Sequence, residues 1–333
     1  MKKHLLLFIG ILLISSCSFE EEHCTDPFEF FWREMDRKYV YFEEKGVDWN
    51  AVYNTYKPRA AVANEEELVQ IFQKIINLLK DGHVWIETQD RSIAYYGYQD
   101  ESEVFYISFN GYEPAQWKED CFGDTYCIIQ LKNDIIYIGF HSAFCSCFDV
   151  NKFQNIIQDY SFTKGIIIDI RTNGGGSVNA LGELASCFAT GQRTILYQRN
   201  KTGHGHNDFS DYFPISGTGR GIISENIPIV LLTGSYSYSA ANSFAAIMKT
   251  LPNVRLMGMP TGGGGSVRFS LIMPNGWTMY YSRAPVYDLQ YNSLEPGVTP
   301  HDYIPTTVED VEIAIQTGVY RLMESAYQYL MSR

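Results

Sequence analysis

The run Gly165-Ile166-Ile167-Ile168-Asp169-Ile170-Arg171 constrains this chain more than any other stretch. A strand with one wet face alternates apolar and polar residues, whereas an unbroken β-branched run suits a strand covered on both faces. Such strands belong to parallel sheets flanked by helices. A glycine turn follows, then a helical stretch from Val178 to Phe188. A second buried strand, Ile227 to Leu232, leads into a helix from Ser239 to Leu251 and a strand from Val254 to Met257. Strand alternating with helix predicts a parallel α/β core. Asn275-Gly276, between Phe269 to Met273 and Thr278 to Tyr281, is a two-residue hairpin signal. Phe105 to Phe109 and Ile135 to Phe140 read as strands, and one amphipathic helix is expected from about Val308 to Leu330.

From Asp26 to about Leu79 the pattern is helical. Asn64 precedes Glu65-Glu66-Glu67 and the stripe Leu68, Ile71, Phe72, Ile75 and Leu79, which is an N-cap, an acidic first turn and one buried face. Phe28, Phe31, Trp32, Met35 and Tyr39 give an earlier amphipathic helix. Together they predict a small helical domain ahead of the α/β core.

Lys2 and Lys3 precede an apolar run from Leu5 to Ile14 and then Ser15-Ser16-Cys17, the order of a secretory signal peptide. The run is shorter than the roughly 20 apolar residues a spanning helix needs. Ile14-Ser15-Ser16-Cys17 resembles the lipobox of bacterial lipoproteins, which implies acylation of Cys17 after cleavage. The acidic Ser18-Phe19-Glu20-Glu21-Glu22 would then be a tether, similar to the export tags of surface lipoproteins. The expected division is a signal peptide over 1–16, a lipidated tether over 17–25, a helical domain over 26–88 and a core over 89–333. Losing residues 1–16 removes Lys2 and Lys3 and no acid, so the formal charge moves from -12 to -14. That balance argues against nucleic acid or an anionic surface as a partner. The expected membrane contact is the lipid anchor alone, at the bacterial cell envelope.

Six cysteines accompany Cys17, and a hairpin closing between Cys121 and Cys127 makes these two the first pair to expect. Cys145-Ser146-Cys147 lacks the ligand spacing of a zinc site. His204-Gly205-His206, with Asp208 nearby, reads as a solvated loop, so no metal and no cofactor are assigned.

Three junctions place reactive groups or backbone donors at the end of a helix or strand, where α/β proteins collect function. At Leu79-Lys80-Asp81-Gly82-His83 a helix ends and an imidazole able to accept a hydroxyl proton follows. At Asp169-Ile170-Arg171-Thr172-Asn173-Gly174-Gly175-Gly176, glycines after a buried strand let backbone N–H groups face an anion. At Gly234-Ser235-Tyr236-Ser237-Tyr238-Ser239-Ala240, a serine at a helix start is either an N-cap or a nucleophile, and the pattern leaves Ser237 and Ser239 both open.

Four segments in this order, LKDGHVWI, GIIIDIRTNGGG, SYSAANSFAAIMKTLPNVRLMGMPTGG and LEPGVTP, resemble serine peptidase family 41, which contains C-terminal processing peptidases, the tricorn core and the interphotoreceptor retinoid-binding protein. The resemblance implies a Clp-protease/crotonase-like fold, peptide or protein substrates and a nucleophile at Ser239. Processing peptidases place a catalytic lysine where this chain has Gly264. The tricorn branch uses a histidine base matching His83, and reaches a glutamate through a serine that precedes the histidine; here that residue is Gly82 and the glutamate position resembles Glu295. Either Glu295 or Asp81 would have to orient the imidazole, directly or through water. Gly174 or Gly175, with the Ala240 amide, would form the oxyanion hole, and Asn242 replaces an acid usual in the family. The span between His83 and Ile135 is too short for an inserted PDZ module beside the strands the core needs. The reading is a tricorn-like serine peptidase; a non-catalytic binder of peptide or another ligand is the alternative, to be told apart by whether His83 faces Ser239. A crotonase-like acyl-CoA enzyme would call for a basic nucleotide patch, and none is evident.

Overall fold

The computed structural model describes residues 24–105, 119–122 and 126–333. The expected leader, Cys17 and most of the acidic tether lie outside these residues, as does most of the strand expected at Phe105 to Phe109. The chain opens with helices α1 (Pro27–Lys38), α2 (Trp49–Ala60) and α3 (Glu65–Leu79). Asn64 caps α3, as the sequence predicts, and forms a reciprocal box with Glu67, while Asp26 caps α1. Trp32 and Trp49 lie parallel with centroids 6.4 Å apart, and each indole N–H donates to the other's carbonyl oxygen, which locks α1 to α2.

Two sheets follow. The first is antiparallel, built from β1 (Trp85–Glu87), β2 (Ser92–Ala94), β7 (Thr190–Gln198), β8 (Phe213–Arg220), β11 (Ser266–Ile272) and β12 (Thr278–Tyr287). Asn275-Gly276 turns β11 into β12, with Gly276 at φ 83°. Helices α1 to α3 share their core with this sheet: Phe28, Phe72 and Leu79 pack with Ile86, Trp277 and Met279.

The second sheet runs β13 (Asp302–Tyr303), β10 (Val254–Gly258), β9 (Ile229–Thr233), β6 (Gly165–Asp169), β5 (Ile135–Gly139), β4 (Tyr126–Leu131), β3 (Glu119–Phe122). The five strands from β13 to β5 are parallel; β4 and β3 add antiparallel. Helices α4 (Val150–Ile157), α5 (Val178–Ser186) and α6 (Ala240–Lys249) cover one face, and α7 (Val308–Thr317) with α8 (Arg321–Met331) serves the other. The isoleucine run behaves as its composition requires: Ile166 and Ile168 point to the α4–α6 side, Ile167 to the α8 side. Burying one such side chain contributes about 1.5–3 kcal/mol. Fixing its backbone and rotamer costs about 1.5–3 kcal/mol, so the central strands hold only because both faces are covered.

The expected single C-terminal helix is instead two. Gly318, left-handed at φ 75°, ends α7 with its N–H on the Ala314 carbonyl, and α8 starts afresh at Arg321. The β3–β4 register sets Cys121 opposite Cys127, as a hairpin closing there requires; the Cys121 side chain lies outside the described residues. Cys145 is joined to Cys147 by a disulfide. No inserted module is present among the described residues.

At the end of β6 the buried Asp169 takes a paired guanidinium contact from Arg171, the Arg171 backbone N–H and the Tyr137 hydroxyl. Arg171 holds the Asp169 carboxyl below its ordinary range against burial, and also reaches the Tyr320 hydroxyl at 2.7 Å. This pair anchors the start of the glycine turn. Arg171→Met strands a buried carboxylate and is expected to lower stability by about 3–5 kcal/mol. Urea unfolding measures it; a loss below about 1 kcal/mol contradicts the anchoring role.

Candidate active site

The glycine turn after β6 and the serine loop after β9 leave the carboxyl ends of adjacent parallel strands, the usual place for a cleft in an α/β sheet. Asn173 ties them together. Its amide donates to the carbonyls of Phe140 and Ser142, its side-chain oxygen accepts from Gly175 N–H at 2.9 Å, and its own carbonyl accepts from Tyr238 N–H at 3.0 Å. A Cβ on Gly175 would lie 2.7 Å from the Ser239 Cβ and 2.9 Å from the Ala240 nitrogen, so only glycine permits this approach.

The two candidate serines separate cleanly. Ser237 is fully buried and its hydroxyl donates to the Ile170 carbonyl at 2.8 Å. Ser239 stands at the start of α6 without capping it, at φ 56° and ψ -117°. Such a backbone costs about 1–3 kcal/mol in a non-glycine residue and persists only where surroundings impose it. Ser239 N–H donates to the Gly263 carbonyl, which helps impose it, and its hydroxyl lies 3.0 Å from His83 Nε2.

His83 arrives from the other side of the cleft. The left-handed Lys80 ends α3, and Asp81 accepts from the His83 backbone N–H at 2.8 Å and from the Tyr39 hydroxyl at 3.1 Å. His83 is 4% exposed, and among the described residues its Nδ1 has no hydrogen-bond partner. Burial pushes its pKa down to about 4; the charge of Asp81 opposes the fall, while Arg268 and Lys45 add to it.

Neither expected orienting carboxylate bonds the ring. Asp81 holds the backbone of His83. Glu295 binds Lys45 at 2.7 Å and accepts from Gly265 N–H at 3.0 Å. Burial and the charge of Asp81 push Glu295 up to about 8, whereas Lys45 is raised by its acidic neighbours despite burial. The two shifts look opposed for an ion pair, but one cation cannot offset two neighbouring carboxylates, so the second ionises late. Asn242 secures the loop bearing Glu295: its amide donates to the Leu294 carbonyl, and its oxygen accepts from Thr261, whose hydroxyl accepts from Val298 N–H. A carboxylate at 242 could not make the first of these bonds.

Of the expected oxyanion donors, Gly175 is already committed to Asn173, whereas the Gly174 and Ala240 N–H groups have no partner among the described residues, and both residues line the cavity with Ser239. That cavity measures about 820 Å3. Its lining includes the aromatic Trp85, Tyr95 and Tyr98, from the segment that begins at His83, and the aliphatic Leu181, Ile247 and Leu251, from α5, α6 and just beyond α6. Among the described residues no group of three or more metal-ligating side chains gathers, and His206 pairs with Asp36 at 2.9 Å. Lys45, Tyr39 and Tyr238 escaped the sequence reading, because nothing local marks a turn lysine or a helix-end tyrosine as reaching a site assembled from distant segments.

The profile of peptidase family S41 matches residues 143–304, and that of the tricorn protease C1 domain matches 21–77. A candidate peptidase of known crystal structure from Parabacteroides merdae is 32% identical over 92% of this chain and 96% of that one, with a TM-score of 0.81. The chain belongs to peptidase family S41. More distant S41-like folds include mature CPAF, at 13% identity over 86% of this chain and 93% of that one, TM-score 0.64. The photosystem II D1 C-terminal processing protease is 15% identical over 84% and 93%, TM-score 0.53; both likenesses concern the fold alone.

Two glycines of the expected site, Gly82 and Gly264, both lie against the Tyr238 side chain. A Cβ on Gly82 would lie 2.7 Å from the Tyr238 hydroxyl and 2.6 Å from Tyr98, and a Cβ on Gly264 would lie 2.5 Å from the Tyr238 ring. Lys249 offers no substitute for a lysine base, since its ammonium donates to the Thr299 carbonyl at 2.7 Å.

Because the folded pKa of His83 lies below its ordinary 6.5, the unfolded chain binds more protons between about pH 4 and 6.5, and stability falls as pH drops through that window. Proton NMR of the His83 ring is expected to show a midpoint near pH 4. A midpoint near 6.5 contradicts the buried, neutral imidazole.

Proposed function

We propose that this chain is a tricorn-like serine peptidase in which Ser239 is the nucleophile and His83 the general base. The observation that carries the reading is the 3.0 Å contact between His83 Nε2 and Ser239 Oγ. The non-catalytic alternative calls for an imidazole turned away, and this separation favours catalysis.

In the proposed reaction Oγ attacks the scissile carbonyl carbon as its proton passes to Nε2. The carbonyl oxygen, now negative, accepts from the free N–H groups of Gly174 and Ala240; a donor of this kind is worth about 100- to 1000-fold in turnover. Asn173 holds Gly175 so that the Gly174 amide faces the cleft. The imidazolium then gives its proton to the leaving amine, and a water, deprotonated by His83, releases the acyl group. Because His83 must protonate the leaving amine, that side of the substrate is placed against the aromatic lining near His83 and the acyl side against the aliphatic lining from α5 and α6. An apolar residue before the scissile bond fits the latter.

The N-terminal motif supports export and anchoring through Cys17 at the bacterial cell envelope, with the acidic stretch as tether. Envelope peptides or exposed protein segments are then the substrates.

The test uses fluorogenic peptides carrying leucine or aspartate before the scissile bond. The wild type is expected to favour leucine, and Ser239→Ala and His83→Ala to lose at least about 1000-fold in kcat with the fold intact. Wild-type turnover in either variant overturns the assignment.

A further inference from the structure

The mechanism leaves one buried imidazole nitrogen unexplained. When His83 takes the serine proton at Nε2, Nδ1–H becomes a cationic donor in a buried position, and a charged group there without an acceptor is costly. No described residue bonds Nδ1, and the carboxylates nearest in charge, Asp81 and Glu295, are engaged with backbone N–H groups, Tyr39 and Lys45.

A second buried polar atom lies close by. Tyr238 is 6% exposed, directly precedes Ser239 and packs edge-on to the imidazole with centroids 5.1 Å apart; among the described residues no side chain bonds its hydroxyl, which faces only the Gly82 N–H. Tyr98 stacks on its ring at 4.1 Å and fixes it. The hydroxyl points at Gly82 and the ring covers Gly264. Two buried polar atoms on packed rings, neither bonded by a side chain among the described residues, mark a group held for a partner formed during turnover.

We propose, on the reading that Ser239 and His83 are the reacting pair, that the Tyr238 hydroxyl is the positioning group for His83. It accepts from Nδ1–H, directly or through one ordered water, as the imidazole becomes charged, and passes its own hydrogen bond toward the Asp81 and Glu295 carboxylates. No bond is made or broken in this step; the phenol stays protonated throughout. Burial and the charges of Asp81 and Glu295 hold the phenol well above its ordinary range, which keeps it a donor. The other charged groups facing the spot are Lys45, paired with Glu295, and Arg268 across the cleft. The glycines at 82 and 264 follow as a condition of the device, since a side chain at either would displace the phenol.

The test compares full-length wild type, Tyr238→Phe, Tyr238→Ala, Gly82→Ser and the double variant Gly82→Ser/Tyr238→Ala, with Ser239→Ala as the inactive control. Tyr238→Phe is expected to lower kcat about tenfold or more with KM unchanged, the order found when a group orienting a histidine is removed. The acid limb of kcat/KM should also move to lower pH, which loss of packing would not do. Gly82→Ser alone should lose activity through its clash with Tyr238 and Tyr98, and because Tyr238→Ala leaves the Tyr98 clash in place, the double variant should stay at or below Tyr238→Ala. Wild-type kcat and acid limb in Tyr238→Phe, or a loss confined to KM, overturns the proposal even with Ser239→Ala inactive. Activity in Ser239→Ala instead removes the reading it rests on.

Discussion

Much of this molecule depends on the hydrogen bonds of one asparagine. Asn173 holds the carbonyls that follow β5, the glycine turn that follows β6 and the serine loop that follows β9. The ends of three adjacent strands thereby become one rigid surface. A buried amide with its donors and acceptor matched carries such a load because leaving any one unmade costs about 1–3 kcal/mol. The unfavourable backbone of Ser239 is tolerable for the same reason: bonds on both sides of it fix the loop. Isoleucine-rich strands covered on both faces supply the platform that keeps these ends in register.

The charge arrangement around the site follows from burial. His83 is kept neutral at ordinary pH, which suits a base, but the same burial penalises the imidazolium that catalysis needs. Asp81 offsets part of that penalty through space. Lys45, delivered from the turn after α1, prevents Asp81 and Glu295 from presenting two uncompensated charges. The helical region thus contributes more than packing: it supplies His83, Asp81, Lys45 and Tyr39, while the parallel sheet supplies the serine and its donors. A site divided in this way needs the two parts to share a core, as the packing of α3 against β1 and the β11–β12 hairpin provides.

Strands β5, β6 and β9 of the parallel core were legible as apolar, largely β-branched runs, and α5 and α6 because helical stretches alternate with those strands. The β7–β8 pair was not. Phe213-Pro214-Ile215-Ser216-Gly217-Thr218-Gly219-Arg220 contains two glycines and a proline, which argue against a strand locally, and only pairing with β7 overrides them. Gly318 divides the last helix although the apolar pattern runs through it, since a left-handed cap is a single-residue event that periodicity does not sense. Family-like segments led to Ser239 and His83, whereas Ser237 could be set aside only once its hydroxyl was seen bonded to a strand carbonyl. Glu295 or Asp81 was expected to steady the imidazole directly or through water; the direct contacts of Glu295 go to Lys45 and a loop amide, and those of Asp81 to the His83 backbone and Tyr39. Tyr238 went unread because its meaning lies in what it touches, the two glycines at 82 and 264.

The central claim, that Ser239 is an activated nucleophile driven by His83, is tested most directly by covalent capture. Purified protein is treated with a fluorophosphonate at neutral pH, and intact mass with peptide mapping locates and times the adduct. The account predicts a single phosphonyl group on Ser239, with labelling at least about 100-fold slower in His83→Ala. An adduct on another residue, or equal labelling of Ser239 without the imidazole, would contradict it.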